Sequence, residues 1–433
     1  MVALARSIDT LGFMLKNARE FGPFYAIWIG DNPIYVVSDP ALAHEILVER
    51  ASEFHKADLV KEAVGRFAGN GLFTNEGDFW RRQRKLAQPA FHHHRIEAYA
   101  AIMVQQTLDL LATWRDRESI DMAEEMTRLT LGIVNKTLFD VDVRSQADHI
   151  GELMKVILSN ANDRINGYDP VWGRIFKTKD RREMNAIREL VEVIDGIIEN
   201  HRQRGEDRGD LLSMLLAARD EDGNPMSDQQ LRDEVITLFV AGHETTANAL
   251  AWSFYLVAQH PVVEARLLDE GASLTGEMLT LRDLAQLPYS DQVVKEAMRL
   301  YPPAGGITRQ PIHDIELGGY AIEEGSMITI STYVMHHDPN LYPDPERFDP
   351  ERFTPENEAK LPKQAYLPFG GGPRICIGNS FALMEARLIL MTVLQRFQLE
   401  LPASQKVRAE QLFTLRPKGG LKMIVNQRAP RAA

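Results

Sequence analysis

The amino-acid sequence predicts a mainly α-helical protein with an α+β layout, in which short strands lie near both ends of the chain. Helical periodicity runs from about residue 92 to residue 219, and a further stretch from Ser227 up to Pro261 contains no proline. β-Branched and aromatic residues cluster instead at 24–37 and 314–330. Long helical segments between two groups of strands therefore define the fold class.

The elements are justified in chain order by their local signals. Residues 24–37 hold two strand-forming runs around a Gly-Asp-Asn-Pro turn, which predicts a hairpin. Asp39 with Pro40 is typical of a helix start. Ser227 with Gln230 resembles a capping box that opens a helix on the order of 50 Å long. A proline-rich meander and a cysteine-containing loop then precede a helix near the C-terminus.

Composition limits the possible classes of protein. The chain has 433 residues, of which 44% are hydrophobic and 25% charged, as in an ordinary globular protein with a sizeable core. A length rule alone would give about three domains. The sequence has no Ser/Gly-rich linker, internal repeat or low-complexity block, so we expect a single domain over 1–433. A net charge of -12 argues against nucleic acid as a partner.

Cysteine usage and the first residues bear on the compartment. One cysteine excludes an intramolecular disulfide framework and fits a reducing compartment. Residues 1–22 carry five charged side chains, so they form neither an apolar signal core nor a spanning helix. We therefore expect no membrane anchor and a cytoplasmic location.

The single cysteine, Cys376, lies in the run 369–378 just before a predicted helix. A helix N-terminus favours the thiolate, which is the metal-binding form. The surrounding glycines let the backbone approach a flat macrocycle, Phe369 offers a shielding ring, and Arg374 offers a charge for an anionic cofactor. These features indicate heme. The alternative is an inert buried cysteine that behaves as a small hydrophobe.

This run matches the Phe-x-x-Gly-x-Arg-x-Cys-x-Gly signature of the cytochrome P450 family, the heme-thiolate monooxygenases, and three further stretches match in the expected chain order. The resemblance covers nearly the whole chain. It implies the P450 fold, heme b (iron protoporphyrin IX) as cofactor, and Cys376 as the metal ligand. Thiolate ligation favours O–O cleavage.

The middle of the long predicted helix reads Ala241-Gly-His-Glu-Thr-Thr246. The simplest interpretation is a glycine used for packing beside a solvated carboxylate; a helix turn widened over a ligand is the other. The resemblance implies that the acid and alcohol, Glu244 and Thr245, serve catalysis. By this resemblance Glu244 delivers a proton, and Thr245 stabilises the oxygen species that receives it. We expect His243 to pack rather than bind iron.

Two other matches concern the heme periphery and the core. Trp80 and Arg84 are four residues apart and can share one helix face; the resemblance implies that they bind a heme propionate together with Arg374 and Arg309. Without the resemblance, the segment that carries Trp80 and Arg84 could be a solvated basic face. The resemblance also implies a buried structural network made by Glu296, Arg299 and Arg352, although the spacing of the first two alone would suit a surface ion pair.

The resemblance implies an O2-dependent monooxygenase for a lipophilic small molecule. Much of the middle sequence, including 67–73 and 125–131, looks like the fatty-acid hydroxylase branch. That branch can anchor a carboxylate with Arg and Tyr where this chain has Asn32 and Val36, so terpenoids and other neutral lipids stay open. Segments that line the pocket in relatives are apolar or small here: Phe67, Leu72, Phe73, Phe239, Ala241, Ala304, Gly305, Ile307 and Phe413.

The sequence contains no complete dinucleotide fingerprint, and no flavin or nicotinamide domain is visible. Electrons are therefore expected from a separate ferredoxin or flavodoxin-type protein, with Arg81, Arg82 and Lys85 as its docking face. Membrane-bound relatives carry an N-terminal anchor, and we expect none here, so the resemblance is to the soluble bacterial type. Two alternatives remain on this fold: a peroxygenase or isomerase, which would normally lack the acid and alcohol pair, and a non-catalytic heme sensor or carrier.

Overall fold

The computed structural model describes residues 9–91, 93–140, 147–165, 173–204, 210–219, 223–274 and 278–429. Helices make up most of the described chain, as the sequence predicts. Their bounds are α1 Thr10–Phe21, α2 Pro40–His44, α3 Asp58–Ala68, α4 Gly77–Ala87, α5 His93–Leu111, α6 Met122–Phe139, α7 Ala147–Ile165, α8 Gly173–Arg204, α9 Leu211–Ala217, α10 Asp228–Gln259, α11 Pro261–Glu270, α12 Pro288–Leu300, α13 Thr332–His336, α14 Pro355–Glu358 and α15 Asn379–Leu394.

The strands form small sheets. The largest has the order β1-β2-β8-β5-β3, in which β1 and β2 pair antiparallel and β2 runs parallel to β8. A three-stranded sheet has the order β4-β12-β9, and two further pairs are β6-β7 and β10-β11. The bounds are β1 Phe24–Ile29, β2 Asn32–Val37, β3 Phe54–His55, β4 Glu118–Asp121, β5 Ile307–Pro311, β6 Ile315–Leu317, β7 Tyr320–Ile322, β8 Met327–Ile330, β9 Phe397–Glu400, β10 Ala409–Gln411, β11 Leu415–Pro417 and β12 Lys422–Gln427.

The local signals are largely confirmed. The hairpin β1-β2 forms, and the side chain of Asp39 caps α2 by accepting the N–H of Leu42 at 2.9 Å. Ser227 caps α10 by accepting the N–H of Gln230 at 3.1 Å. The Gln230 side chain bonds elsewhere, so only half of the capping box forms. Strand β4 interrupts the region that periodicity predicted as helical, because it pairs with β12. This partner lies about 300 residues away in sequence, so local periodicity does not indicate it.

Helix α10 is the centre of the molecule and packs against α6, α12 and α15. It stays α-helical throughout, so the widened turn considered for its middle does not form. Gly242 instead serves packing, because a Cβ there would lie 3.0 Å from a methyl group of Val134 on α6. This close approach fixes the phase of α10 and therefore the direction in which Glu244 and Thr245 project.

Two clusters of buried apolar residues support these layers. The larger lies among the helices, and the smaller lies against the five-stranded sheet and includes Val37, Leu47, Ile328 and Leu367. The single domain over 1–433 stays a prediction. Among the described residues, each helix is too short or too polar to cross a bilayer.

Candidate active site

The cysteine loop has a backbone that only glycine accommodates at two positions. Gly370 and Gly372 have φ angles of 72° and 65°, in the left-handed region. A Cβ on Gly372 would overlap the backbone carbonyl of Leu47. The loop closes when the N–H of Cys376 donates to the carbonyl of Phe369 at 2.9 Å. The thiol and the shielding ring are thus held by one turn, and α15 begins three residues later.

Opposing effects act on the ionisation of Cys376. Burial raises the pKa of the thiol, while a hydrogen bond from the backbone of Gly378 and the charge of Arg84 lower it. The net shift is upward, so the helix N-terminus alone does not produce the thiolate that the sequence suggested. Although protein atoms surround the thiol, part of its surface remains accessible to small molecules. A thiol that is surrounded by protein but reachable suits a metal, because coordination deprotonates a thiol outright.

Four basic side chains gather beside this loop, and we name Lys56, Arg84, Arg309 and Arg374 the cation cluster. Nη1 of Arg84 donates to the carbonyl of Ile375 at 2.7 Å. The guanidinium carbons of Arg374 and Arg84 lie 4.1 and 5.9 Å from the ring centroid of Trp80. The charge of Arg374 also acts on Arg309. The structure thus brings together Trp80, Arg84, Arg309 and Arg374, the four residues that the resemblance assigned to the propionates.

Lys56 also belongs to the cluster, although no sequence motif marks it. Its Nζ donates to the carbonyl of Phe73 at 2.6 Å and lies 3.6 Å from the centroid of that ring. Burial and, after it, the charges of Arg309 and Arg374 lower the pKa of Lys56 well below its ordinary value. A basic group in such surroundings favours a nearby anion.

The cation cluster has more positive charge than its carboxylate neighbour balances. Glu76 pairs with Arg374 and contributes one negative charge. Burial, then the charge of Arg374, lower the pKa of Arg309 to about 10. Nη1 of Arg374 is buried without a hydrogen-bond partner among the described residues. Two propionates would supply the missing negative charge and acceptors, so these side chains fit heme b.

Glu244 and Thr245 lie close to Ala241, where the otherwise buried middle of α10 becomes accessible. Ala241 is exposed although residues 233–240 and 246–254 around this segment are buried. The hydroxyl of Thr245 donates to the Ala241 carbonyl at 2.9 Å, which keeps both residues on the same side of the helix. His243 is buried and its Nδ1 lies 2.8 Å from the carbonyl of Phe239, so it packs away from the accessible side of the helix as expected.

The Glu244 carboxyl is held at one oxygen only. Its Oε1 accepts the hydroxyl of Thr414 at 2.7 Å, and Thr414 in turn accepts Nδ2 of Asn248 at 3.0 Å. Its Oε2 is buried without a partner among the described residues. Burial raises the pKa of Glu244, whereas the Thr414 bond lowers it less. The group therefore retains a proton at a pH where an exposed glutamate is ionised, and can give it up.

One residue of the predicted apolar lining faces elsewhere. Phe239 is fully buried and stacks on Phe139 of α6 at 6.3 Å between ring centroids, so its assignment to the pocket was wrong. The cause is helix phase, because Phe239 follows the face of His243 rather than that of Ala241. Ala304 is exposed and Gly305, Ile307 and Phe413 are half-buried, whereas Phe67 and Leu72 are buried.

The network of Glu296, Arg299 and Arg352 forms as the resemblance implied. Nε and Nη2 of Arg299 donate to the two oxygens of Glu296 at 2.7 and 2.9 Å, and Nε of Arg352 lies 3.4 Å from Oε1. Nη1 of Arg299 also donates to the carbonyl of His336 at 2.7 Å. Nε2 of His336 accepts the N–H of Leu367 at 3.0 Å, which links the network to the segment entering the cysteine loop.

Comparisons with known proteins agree with this geometry. The family model described as "Cytochrome P450" matches residues 4–424. Cyclooctatin synthase of Streptomyces melanosporofaciens is 36% identical over 96% of this chain and 91% of its own. Pentalenene oxygenase of Streptomyces avermitilis is 34% identical over 96% and 93%. The crystal structure of the cytochrome P450DA heme domain superposes with a TM-score of 0.88 at 28% identity, covering 97% of this chain and 93% of that one. The chain therefore belongs to the cytochrome P450 family and is a heme-thiolate monooxygenase with heme b as its cofactor.

Proposed function

We propose that this P450 inserts one oxygen atom of O2 into a neutral terpenoid and reduces the other to water. The observation that carries the substrate class is the early strand β2. Asn32 and Val36 stand where the fatty-acid hydroxylase branch can place Arg and Tyr, so neither a guanidinium nor a phenol is present there to bind a carboxylate. Two similar relatives are named for cyclooctatin and pentalenene, which supports the same substrate class.

We assign the residues to roles that their surroundings support. Cys376 would hold the iron, with Phe369 beside it, and Trp80 and the cation cluster would hold the propionates. Bound heme supplies O2 activation, which thiolate ligation favours. In the middle of α10, Glu244 would hold a proton and release it through its unpartnered oxygen, and Thr245 beside it would position the acceptor of that proton.

Electrons come in this proposal from a ferredoxin or flavodoxin-type protein that docks at Arg81, Arg82 and Lys85 on α4. The same helix directs Trp80 and Arg84 inward toward the cysteine loop, whereas the Arg81 side chain is 65% exposed. A surface of positive charge there suits an acidic carrier. The proposed cytoplasmic location stays a prediction.

Reversal of charge at this docking face should slow reduction. We expect the variant R81E/R82E to be reduced more slowly by an acidic carrier at low salt, with a weaker dependence on ionic strength, because long-range attraction is lost. Stopped-flow reduction of the ferric holoenzyme measures this. K155E, which reverses an exposed charge on α7, is the control. Rates that keep their salt dependence in R81E/R82E would exclude this face.

Spectral titration of the purified ferric holoenzyme tests the substrate class. We expect pentalenene and other neutral terpenoids to shift the heme spectrum by displacing water, with lower dissociation constants than fatty acids of similar size, because a buried carboxylate without a partner is costly. Tighter binding of fatty acids would refute the neutral substrate class. Substrate-dependent O2 consumption separates an enzyme from the non-catalytic sensor or carrier, which the comparisons do not favour.

A further inference from the structure

Two adjacent carboxylates on α10 hold the loop Gly69–Asn75, which we name the glycine loop. The N–H of Asn70 donates to Oδ2 of Asp233 at 2.8 Å, and the N–H of Leu72 donates to Oε2 of Glu234 at 2.8 Å. Both carboxylates are buried. They lie about three turns before Glu244, and none of the roles assigned above uses them.

The loop backbone approaches α10 so closely that a side chain is excluded at two positions, Gly69 and Gly71. Gly69 has a φ of 53°, and a Cβ there would overlap the carboxylate of Asp233. A Cβ on Gly71 would overlap the hydroxyl of Thr237 and would lie 2.6 Å from the carbonyl of Asp233. The two glycines and the two carboxylates thus form one fitted contact between the loop and the helix.

The other end of the glycine loop reaches the cation cluster. Nη2 of Arg374 donates to the carbonyl of Asn75 at 2.9 Å, and Nζ of Lys56 donates to that of Phe73 at 2.6 Å. The loop therefore spans from α10 to the surroundings of the cysteine loop. Leu72 and Phe73 lie in the part of the loop between these two ends.

The position of the contact along α10 relates it to the active site. Asp233, Thr237, Ala241 and Thr245 recur every fourth residue and so form one stripe on the helix. The glycine loop covers the first two members, and the stripe becomes accessible at Ala241. The loop is thus a wall beside the exposed part of the stripe.

We propose that Asp233 and Glu234 are positioning residues that latch the glycine loop onto α10 and so set the position of this wall, in which Phe73 is half-buried, beside the accessible part of the helix. Neither residue has to touch the substrate. Each acts through the loop amide that it accepts, and loss of either bond lets this wall move away from the helix.

The ionisation of Glu234 makes the latch sensitive to pH. Burial raises the pKa of Glu234 to about 7, opposed by the bonds from Leu72 and Gln230 and assisted by the charge of Asp233. On α10 the nearby cation Arg232 pairs with Asp195 of α8, and the glycine loop contains no ionisable side chain. Release of the loop would hydrate the carboxylate and return its pKa toward 4.5. The latched state therefore binds the proton more tightly, and a rise in pH through 7 favours release.

Hydrogen exchange of the heme-loaded protein tests the latch without any substrate. In D233A and E234A we expect the amides of residues 70 and 72 to exchange roughly tenfold faster or more, as loss of a charge-assisted bond implies. D233N and E234Q keep an acceptor oxygen and should restore most of the protection. D228N, an exposed carboxylate on the same helix, is the matched control. Unchanged protection in both alanine variants would overturn the proposal.

Ligand titration of the ferric holoenzyme tests the pH dependence. With dissociation constants referred to the unprotonated ligand, we expect the affinity for 4-phenylimidazole relative to that for imidazole to fall about threefold to tenfold from pH 6 to pH 8. The smaller ligand does not need the wall. E234Q should lose this change, and an equal change in E234Q would contradict the pH dependence. Neither experiment uses a terpenoid, so the latch and the proposed substrate class can fail separately.

Discussion

Removal of the Thr245 hydroxyl should separate electron consumption from product formation. In T245A we expect substrate binding and the consumption of reducing equivalents to continue, while most electrons leave as hydrogen peroxide. The physical reason is that Thr245 lies beside the accessible part of α10. Its hydroxyl donates to the Ala241 carbonyl, so its oxygen can accept a hydrogen bond from the species that Glu244 protonates. Parallel measurement of product, peroxide and reductant gives the coupling ratio. Full coupling in T245A would falsify the role assigned to Thr245.

Replacement of Glu244 should instead slow product formation itself. Gln in E244Q can still accept the Thr414 hydroxyl but carries no transferable proton, so we expect turnover to fall about 10² to 10⁴-fold, the usual contribution of a positioned acid. Since burial raises the pKa of Glu244, the wild-type rate should decline as pH rises through that pKa, where the proton is lost. E244Q should not show this decline.

Matched variants on the same helix make the two results specific. T246A removes a neighbouring hydroxyl that is buried and bonds to the carbonyl of Gly242 at 3.3 Å, so its coupling should stay close to that of wild type. T245S retains a hydroxyl and should recover most of the product. Equal peroxide release from T245A and T246A would indicate a general disturbance of α10 instead of a role for one side chain.

Local signals explain what the sequence could predict. A cap such as Ser227 or Asp39 acts within three residues, and the cysteine signature fixes its own turn through glycines, so both follow from adjacent residues. The fold class and the family likewise depend on long periodic segments and several ordered motifs. These features need no knowledge of which distant residues meet.

The remaining features depend on distant contacts. Phe239 was misplaced because its apolar character fits either face of α10, and the phase of the helix is fixed only by its packing against distant elements, including Gly242 against Val134. The Asp233–Glu234 pair binds loop amides over 150 residues away in sequence, and the charges of Arg309 and Arg374 that act on Lys56 come from still farther along the chain. The thiol pKa of Cys376 likewise depends on burial, which outweighs the helix N-terminus that the sequence displays.

Loss of Glu296 should produce the largest change in stability. Its carboxylate binds Arg299 and Arg352 and accepts the N–H of Asp349 at 2.9 Å, while the side chains of Glu296 and Arg299 are 0% exposed. E296A would leave two guanidinium groups without their buried anion. Breaking a buried pair from one side costs about 3–5 kcal/mol. We expect a corresponding decrease in the free energy of unfolding, measured by denaturant titration.

A second pair of the same spacing separates burial from ion pairing. Glu152 and Lys155 on α7 are also three residues apart, at 2.7 Å between Oε1 and Nζ, but their side chains are 69% and 54% exposed. E152A should cost at most about 1 kcal/mol, because water already solvates both charges. Because His336 links Arg299 to Leu367 before the cysteine loop, E296A but not E152A should also lose heme more readily. Equal costs for the two variants would contradict the role of burial, and equal rates of heme loss would show that the buried network does not secure the cysteine loop.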